Sequence, residues 1–270
     1  MAISFPSLGV VLFAIIASPN RKFTFAFSHH PSPTHHHVFS DSLLIRSDLP
    51  SCRFRSLTRR HMVGDLSTNE GAGKIRYLGS GDDAIIRPGV VLVAPAHEYD
   101  HFLMRSAVFI YAIGLDDEEN TIVRGVVLDH PTAFMIGEMS SNVMGGLSEN
   151  RLFRGGYDGS DTAMLLHSAG GDGPIKSGSM IGSSGIFEGG VVSAMESADA
   201  GLIETNRCKF FFNYMQFTQK ELDNMFAGAE DGDTWVSVEI PPDYVLNSDY
   251  TRGQLWSKLR NSIREKRIRS

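Results

Sequence analysis

Beyond residue 70 the chain is a succession of short apolar runs separated by Gly, Asp and Asn, the texture of strands joined by tight turns. Residues 90–94 (VVLVA) form a β-branched run entered through Arg87-Pro88-Gly89 and stopped by Pro95, which reads as a buried strand. Residues 107–114 (AVFIYAIG) and 122–128 (IVRGVVL) predict two more strands, joined through the acidic turn 116–120 as a hairpin with a solvated tip. Shorter strands are expected at 151–154, 163–167, 185–187 and 209–214. A Met-rich, weakly helical segment lies at 137–147, and a glycine-rich stretch runs from 168 to 190.

Helical periodicity is confined to two places. Over 218–227 (TQKELDNMFA), Thr218 can cap the first turn while Glu221, three residues on, closes a capping box ahead of Leu222, Met225 and Phe226. Over 250–268, Leu255, Leu259 and Ile263 recur at four-residue spacing beside Trp256, with Lys258, Arg260, Arg264, Lys266, Arg267 and Arg269 around them. That tail predicts a basic amphipathic helix docked by its apolar stripe, its charged side in water. Many strands with few helices predict a single α+β domain over residues 71–270.

Composition agrees: 42% hydrophobic and 21% charged residues are enough for a sizeable core and exclude disorder throughout. The charge is split. Residues 1–62 hold seven of the 25 bases and two of the 31 acids, leaving 18 against 29 in the remainder, a formal charge of −11. Such a domain repels phosphate backbones, so nucleic acid could bind only at a local basic patch, for which the tail is the candidate. Cys52 and Cys208 fall on opposite sides of the expected leader boundary, which leaves no internal disulfide or cysteine zinc site in the domain.

The first 70 residues read as a targeting leader in two parts. Residues 8–17 (LGVVLFAIIA) have the length of a signal-peptide apolar region and are too short to span a bilayer, so no transmembrane anchor is expected. The following stretch to about Arg60 is rich in Ser, Arg and His and poor in acids, like a transit peptide. The combination resembles the bipartite presequences of proteins imported into the complex plastids of diatoms and related algae, in which a Phe follows the cleavage point. Phe25 or Phe27 could fill that place. A plastid is therefore the expected destination, with a mitochondrion or the secretory pathway as alternatives. The cluster His35-His36-His37 lies inside this leader and is read as incidental.

The order of landmarks in the domain resembles the YqgE/AlgH family of bacteria and its plastid relatives. The likeness begins at Pro88-Gly89-Val90-Val91-Leu92-Val93-Ala94-Pro95 and passes through Phe102, Ser106-Ala107-Val108-Phe109 and Gly125-Val126-Val127-Leu128 with Pro131 behind it. It continues at Leu152-Phe153-Arg154-Gly155-Gly156, Leu165-Leu166-His167 and Gly185-Ile186-Phe187-Glu188-Gly189-Gly190. It ends with Lys209-Phe210-Phe211-Phe212-Asn213-Tyr214, the helix from Gln219, Trp235 and Leu255-Trp256. The chain departs from the family pattern at Asp129-His130, where an Asn and a basic residue are usual, at Tyr157 in place of a proline, and at 213–217. The resemblance implies an α+β fold around a largely antiparallel, twisted sheet flanked by a few helices. It implies regulatory roles and no established catalytic residues.

Residues that could carry chemistry are few. His97-Glu98-Tyr99-Asp100-His101 spells H-E-x-x-H, which on a helix holds Zn²⁺ between two imidazoles with the Glu as general base. A zinc-dependent hydrolase is thus one alternative, although Pro95 and the preceding strand leave room only for a short helix. The stretch 170–190 offers exposed backbone amides but neither phosphate-loop pattern, and Ser184 lacks the second glycine of a nucleophile elbow. Gly155, Gly156, His167, Gly189 and Gly190 are the residues from which a pocket could be shaped. No motif calls for a cofactor. The expectation is a binding or regulatory protein of an organelle with a protein or small-molecule partner, and a nucleic-acid-binding regulator is the other alternative.

Overall fold

The computed structural model describes residues 73–227 and 233–269, all of which belong to one contact-continuous unit, Asp41–Ser270. The leader assigned to residues 1–70 and its histidine cluster lie outside the described residues. Eleven strands and five helices follow in order: β1 (Arg76–Ser80), β2 (Val91–Val93), β3 (Ala107–Leu115), β4 (Thr121–Val127), β5 (Pro131–Met135), α1 (Ile136–Met139), β6 (Arg151–Arg154), β7 (Asp158–His167), β8 (Gly178–Met180), β9 (Phe187–Gly189), α2 (Val191–Asp199), β10 (Cys208–Thr218), α3 (Gln219–Phe226), β11 (Val236–Glu239), α4 (Pro242–Leu246) and α5 (Gln254–Arg269).

The strands form one sheet in the order β1-β11-β2-β3-β4-β10-β7-β9-β8, every pair antiparallel. Only β6 departs, lying parallel to β10 and antiparallel to β5. The α+β fold on a largely antiparallel sheet is therefore as expected. Its organising strand is β10, whose first half pairs with β7 and β6 and whose second half pairs with β4. It changes partners at Asn213, where the register shifts and φ is 61°, a left-handed conformation that Asn tolerates better than other side chains. The Asn213 side chain accepts a 3.2 Å hydrogen bond from the Thr162 amide and so fixes the bulge against β7.

Period-two alternation sends Phe211 and Phe210 to opposite faces. Phe211 joins Phe153, Leu166, Val126 and Val91 beneath α4 and α5, while Phe210 joins Leu152, Leu165 and Ala194 on the α1 and α2 side. A third cluster packs Trp235, Phe102, Val108 and Ile110 against Leu222 and Phe226 of α3. The capping box that starts α3 is formed: the Thr218 hydroxyl accepts from the Glu221 amide, and the Thr218 amide donates to the Glu221 carboxylate at 2.9 Å.

Some expectations shift. Strand β7 begins five residues before 163, and β9 lies two residues later than the 185–187 run. The 137–147 segment is helical only over α1, followed by a 3-10 turn at Gly145–Glu149. The short strands β1, β5, β8 and β11 and helices α2 and α4 carry too little apolar period to be read locally. The tail helix docks through Leu255, Leu259 and Ile263, all buried, but its charged side is not wholly in water. Arg260 donates its Nε–H to the Ala94 carbonyl at 2.8 Å and pairs with Asp233 at 2.8 Å, and Trp256 donates its indole N–H to the same Ala94 carbonyl at 2.7 Å. The end of β2 has no strand partner for that carbonyl, so the helix supplies the donors.

Candidate functional site

Polar groups collect inside the molecule where β4 runs into β5. The connection Asp129-His130 precedes Pro131, whose ring removes an amide from the edge strand. Asp129 is fully buried and its two carboxylate oxygens have no donor at hydrogen-bond geometry. Burial pushes its pKa up to about 6, against the opposing pull of the Trp256 amide at the start of α5, the Lys209 charge and the Leu255 amide. Lys209, from the middle of the sheet, is also fully buried. Its ammonium donates to the carbonyls of Leu128 (2.8 Å), Val245 (3.2 Å) and Asn247 (2.7 Å), and it lies 4.1 Å from the Phe153 ring centroid. Burial pulls its pKa down to about 7, with Asp129 working in the other direction. The two groups attract one another without a direct hydrogen bond, and Lys209, on β10, ties down the ends of β4 and α4 through their carbonyls.

Beside them His130 is 7% exposed and its Nε2 has no hydrogen-bond partner. Burial, followed by the positive charges of Arg252 and Arg154, lowers its pKa to about 4, so it is a neutral imidazole at physiological pH. Its ring meets Phe102 edge-on, centroids 4.6 Å apart, and Phe102 lies 4.6 Å from Tyr157. The Arg154 guanidinium sits 5.2 Å from both the Phe102 and the Tyr157 centroids. Arg252, just ahead of α5, donates to the His101 carbonyl. Neither arginine has a carboxylate partner among the described residues. The result is a spot with two uncompensated guanidiniums, framed by two aromatic rings, on a domain of opposite charge.

The residues expected to carry chemistry are placed otherwise. His97-Glu98-x-x-His101 forms turns and not a helix, so the two imidazoles lack the common face that a zinc site requires. Glu98 is occupied by the Trp235 indole N–H at 2.9 Å and the Asp100 amide at 3.0 Å, and the Asp100 carboxylate accepts from the Phe102 and Leu103 amides. Among the described residues no three His, Cys, Asp or Glu side chains converge in a way that could hold a metal ion. Ser184 closes a turn through Ile181 and Ile186, and Lys176 donates to Gly173 within its own loop.

The glycine pairs do not meet. Gly155 donates its amide to Phe212 on one edge of β10, and a Cβ on Gly156 would lie 2.0 Å from the Tyr214 backbone, so this pair serves the close approach of two chains. His167 faces Cys208 across the other edge, four residues earlier on β10 and so roughly 13 Å away along the strand. Gly189 does lie beside His167, and Gly190, at φ 69°, opens α2. His167 accepts the Ala169 amide at Nδ1, stacks on Phe187 at 5.7 Å, and burial lowers its pKa to about 4. Next to it in the sheet Glu188 is pushed up to about 7 by burial, Arg124 partly opposing. Sequence reasoning missed Lys209, hidden in an aromatic strand, and missed Arg154, Arg252 and Tyr157 as a group. The available signal was the departure from the family pattern at Asp129-His130 and Tyr157.

A family described as AlgH-like matches residues 91–266. Among solved structures, a protein from Corynebacterium diphtheriae is 15% identical with a TM-score of 0.47, covering 65% of this chain and 86% of its own. The AlgH protein from Pseudomonas aeruginosa is 14% identical with a TM-score of 0.45, covering 65% of this chain and 87% of its own. No curated protein matches the sequence.

Proposed function

Because this chain belongs to the AlgH-like family, we propose that it acts by binding and not by catalysis, as a regulatory protein of an organelle to which residues 1–70 deliver it. One observation carries the binding half of this reading: the carboxylate of the H-E-x-x-H segment, its neighbour Asp100, Ser184 and Lys209 are each engaged by the protein's own backbone and core. Glu98 holds Trp235, Asp100 caps the following turn, Ser184 closes its own turn, and Lys209 is held by three carbonyls. At the surface, arginines 154 and 252 have no carboxylate partner among the described residues, which suits recognition of an anion. The Cys208 thiol supports the same view, since burial pushes it up to about 12 and keeps it in the unreactive protonated form.

The organelle half rests on the acid-poor, two-part composition of residues 1–70, and the plastid is the destination it favours. No helix among the described residues is long and apolar enough to cross a membrane. A fluorescent reporter fused behind residues 1–70 is expected in the plastid of an alga with complex plastids; accumulation in mitochondria or in the medium overturns the assignment. Full-length tagged protein recovered from isolated plastids is expected to carry a partner in fixed stoichiometry. Recovery of the bare chain with a hydrolytic activity would overturn the binding role.

A further inference from the structure

We infer that Arg154, over the Phe102 and Tyr157 rings, and Arg252, bonded to the carbonyl of the neighbouring His101, form a binding site for a phosphate monoester group. This rests on the binding role proposed above and names the ligand chemistry.

The two guanidiniums come from β6 and from just ahead of α5, distant in sequence, and meet neighbouring residues: Arg154 lies over the Phe102 ring and Arg252 bonds the His101 carbonyl. Both are exposed, and no carboxylate pairs with either among the described residues. Aromatic contact orients Arg154: with its guanidinium 5.2 Å from each of two rings that themselves lie 4.6 Å apart, its freedom is reduced before a ligand arrives. Arg252 is anchored through the His101 carbonyl, which uses one of its five N–H donors and leaves the others for a ligand. His130 adds a polar atom without a partner, more than nine-tenths buried against the Phe102 ring on which Arg154 lies.

The chemistry distinguishes among anions. A phosphate monoester carries about −1.5 to −2 at pH 7 and has three acceptor oxygens, which match two arginine forks in both charge and donor number. A carboxylate carries a single charge and would leave one guanidinium uncompensated. The formal charge of −9 over residues 71–270 (18 bases against 27 acids) argues against long polyanions, which would have to approach the whole field, and for a compact group that meets only the local spot.

The test is calorimetric titration of the full chain with phosphoserine, inorganic phosphate and acetate, together with flotation on vesicles with and without phosphatidic acid. Phosphoserine and phosphate are expected to bind at one site per chain and acetate at least about tenfold more weakly, the loss of roughly one charge-assisted hydrogen bond. Arg252→Gln, an exposed change, and Arg154→Lys, which keeps the charge but not the fork, are each expected to weaken phosphate about tenfold with an unchanged unfolding midpoint. Flotation confined to phosphatidic-acid vesicles would identify the headgroup of a lipid as the source; binding of soluble phosphoserine alone would identify a free or peptide-borne phosphate.

Equal binding by both variants, equal binding of acetate, or no binding of phosphate in any form overturns the site. If phosphate fails while the partner still co-purifies from plastids, the ligand falls and the binding role stands. If phosphoserine is cleaved and both substitutions abolish cleavage, the site stands and the non-enzymatic role falls.

Discussion

Lys209 shows how a single side chain can hold a fold together without a conventional ion pair. Its ammonium satisfies the carbonyls of Leu128, Val245 and Asn247, and its charge is the nearest compensation for Asp129. Lys209→Met would keep the volume while orphaning three carbonyls and a buried carboxylate, so a loss of about 3 to 5 kcal/mol is expected by urea denaturation. The same residue sets a pH dependence. Its folded pKa, about 7, lies below the ordinary 10.5, so over the range between them the unfolded chain holds a proton that the native chain has released. Stability should therefore rise with pH from 7 toward 9. Above pH 9 Cys208, raised to about 12, works in the opposite sense. Below 7 the raised acids Asp129 and Glu188 lose stability as pH rises, while His130 and His167, lowered to about 4, gain it. Melting curves at pH 7, 8 and 9 should show the upward slope in the native chain and lose it in Lys209→Met; an unchanged slope would assign it elsewhere.

Individual elements differ in how far local pattern reaches. Helix α3 was legible because its capping box and apolar period are properties of eight neighbouring residues. Thr218→Ala should cost about 1 kcal/mol, measured as a lower denaturation midpoint at constant slope. Strand β10 was legible only over its aromatic first half. Its second half alternates buried Met215 and Phe217 with half-buried Gln216, and the break at Asn213 hides the continuity. Gly156 was visible as a glycine without its reason being visible. The reason is the Tyr214 backbone, 2.0 Å from where a Cβ would stand, and Gly156→Ala should cost about 1 to 3 kcal/mol or more through overpacking. A Gly156→Ala protein as stable as the native chain would show that β6 can withdraw from β10. The H-E-x-x-H spacing marks the opposite failure, since a motif defined on a helix has no meaning in the turns that Pro95 and the Asp100 cap impose.

At the scale of the whole molecule, α5 is part of the core and not an appendage. Removing residues 251–270 would strip Leu255, Leu259 and Ile263 from beneath the sheet and leave the Ala94 carbonyl without donors. Circular dichroism of such a truncation should show loss of cooperative unfolding; a truncation that melts like the full chain would make the tail a free basic arm after all. The leader has its own test: N-terminal sequencing of protein recovered from the organelle is expected to begin at or beyond Phe25, and a retained apolar region would contradict cleavage. The amino-acid sequence alone determined the class of the fold, the main strands, the capped helix, the docking stripe of α5 and the likeness to a family, because alternation, capping and order of landmarks are relations between near neighbours. Tertiary structure alone decided that Lys209 serves carbonyls as far as 81 residues away, that Arg154 and Arg252 meet at Phe102 and the His101 carbonyl, and that the glycine pairs stand apart. Those relations arise when a curled sheet and a returning helix bring distant segments together, and no local period encodes that closure.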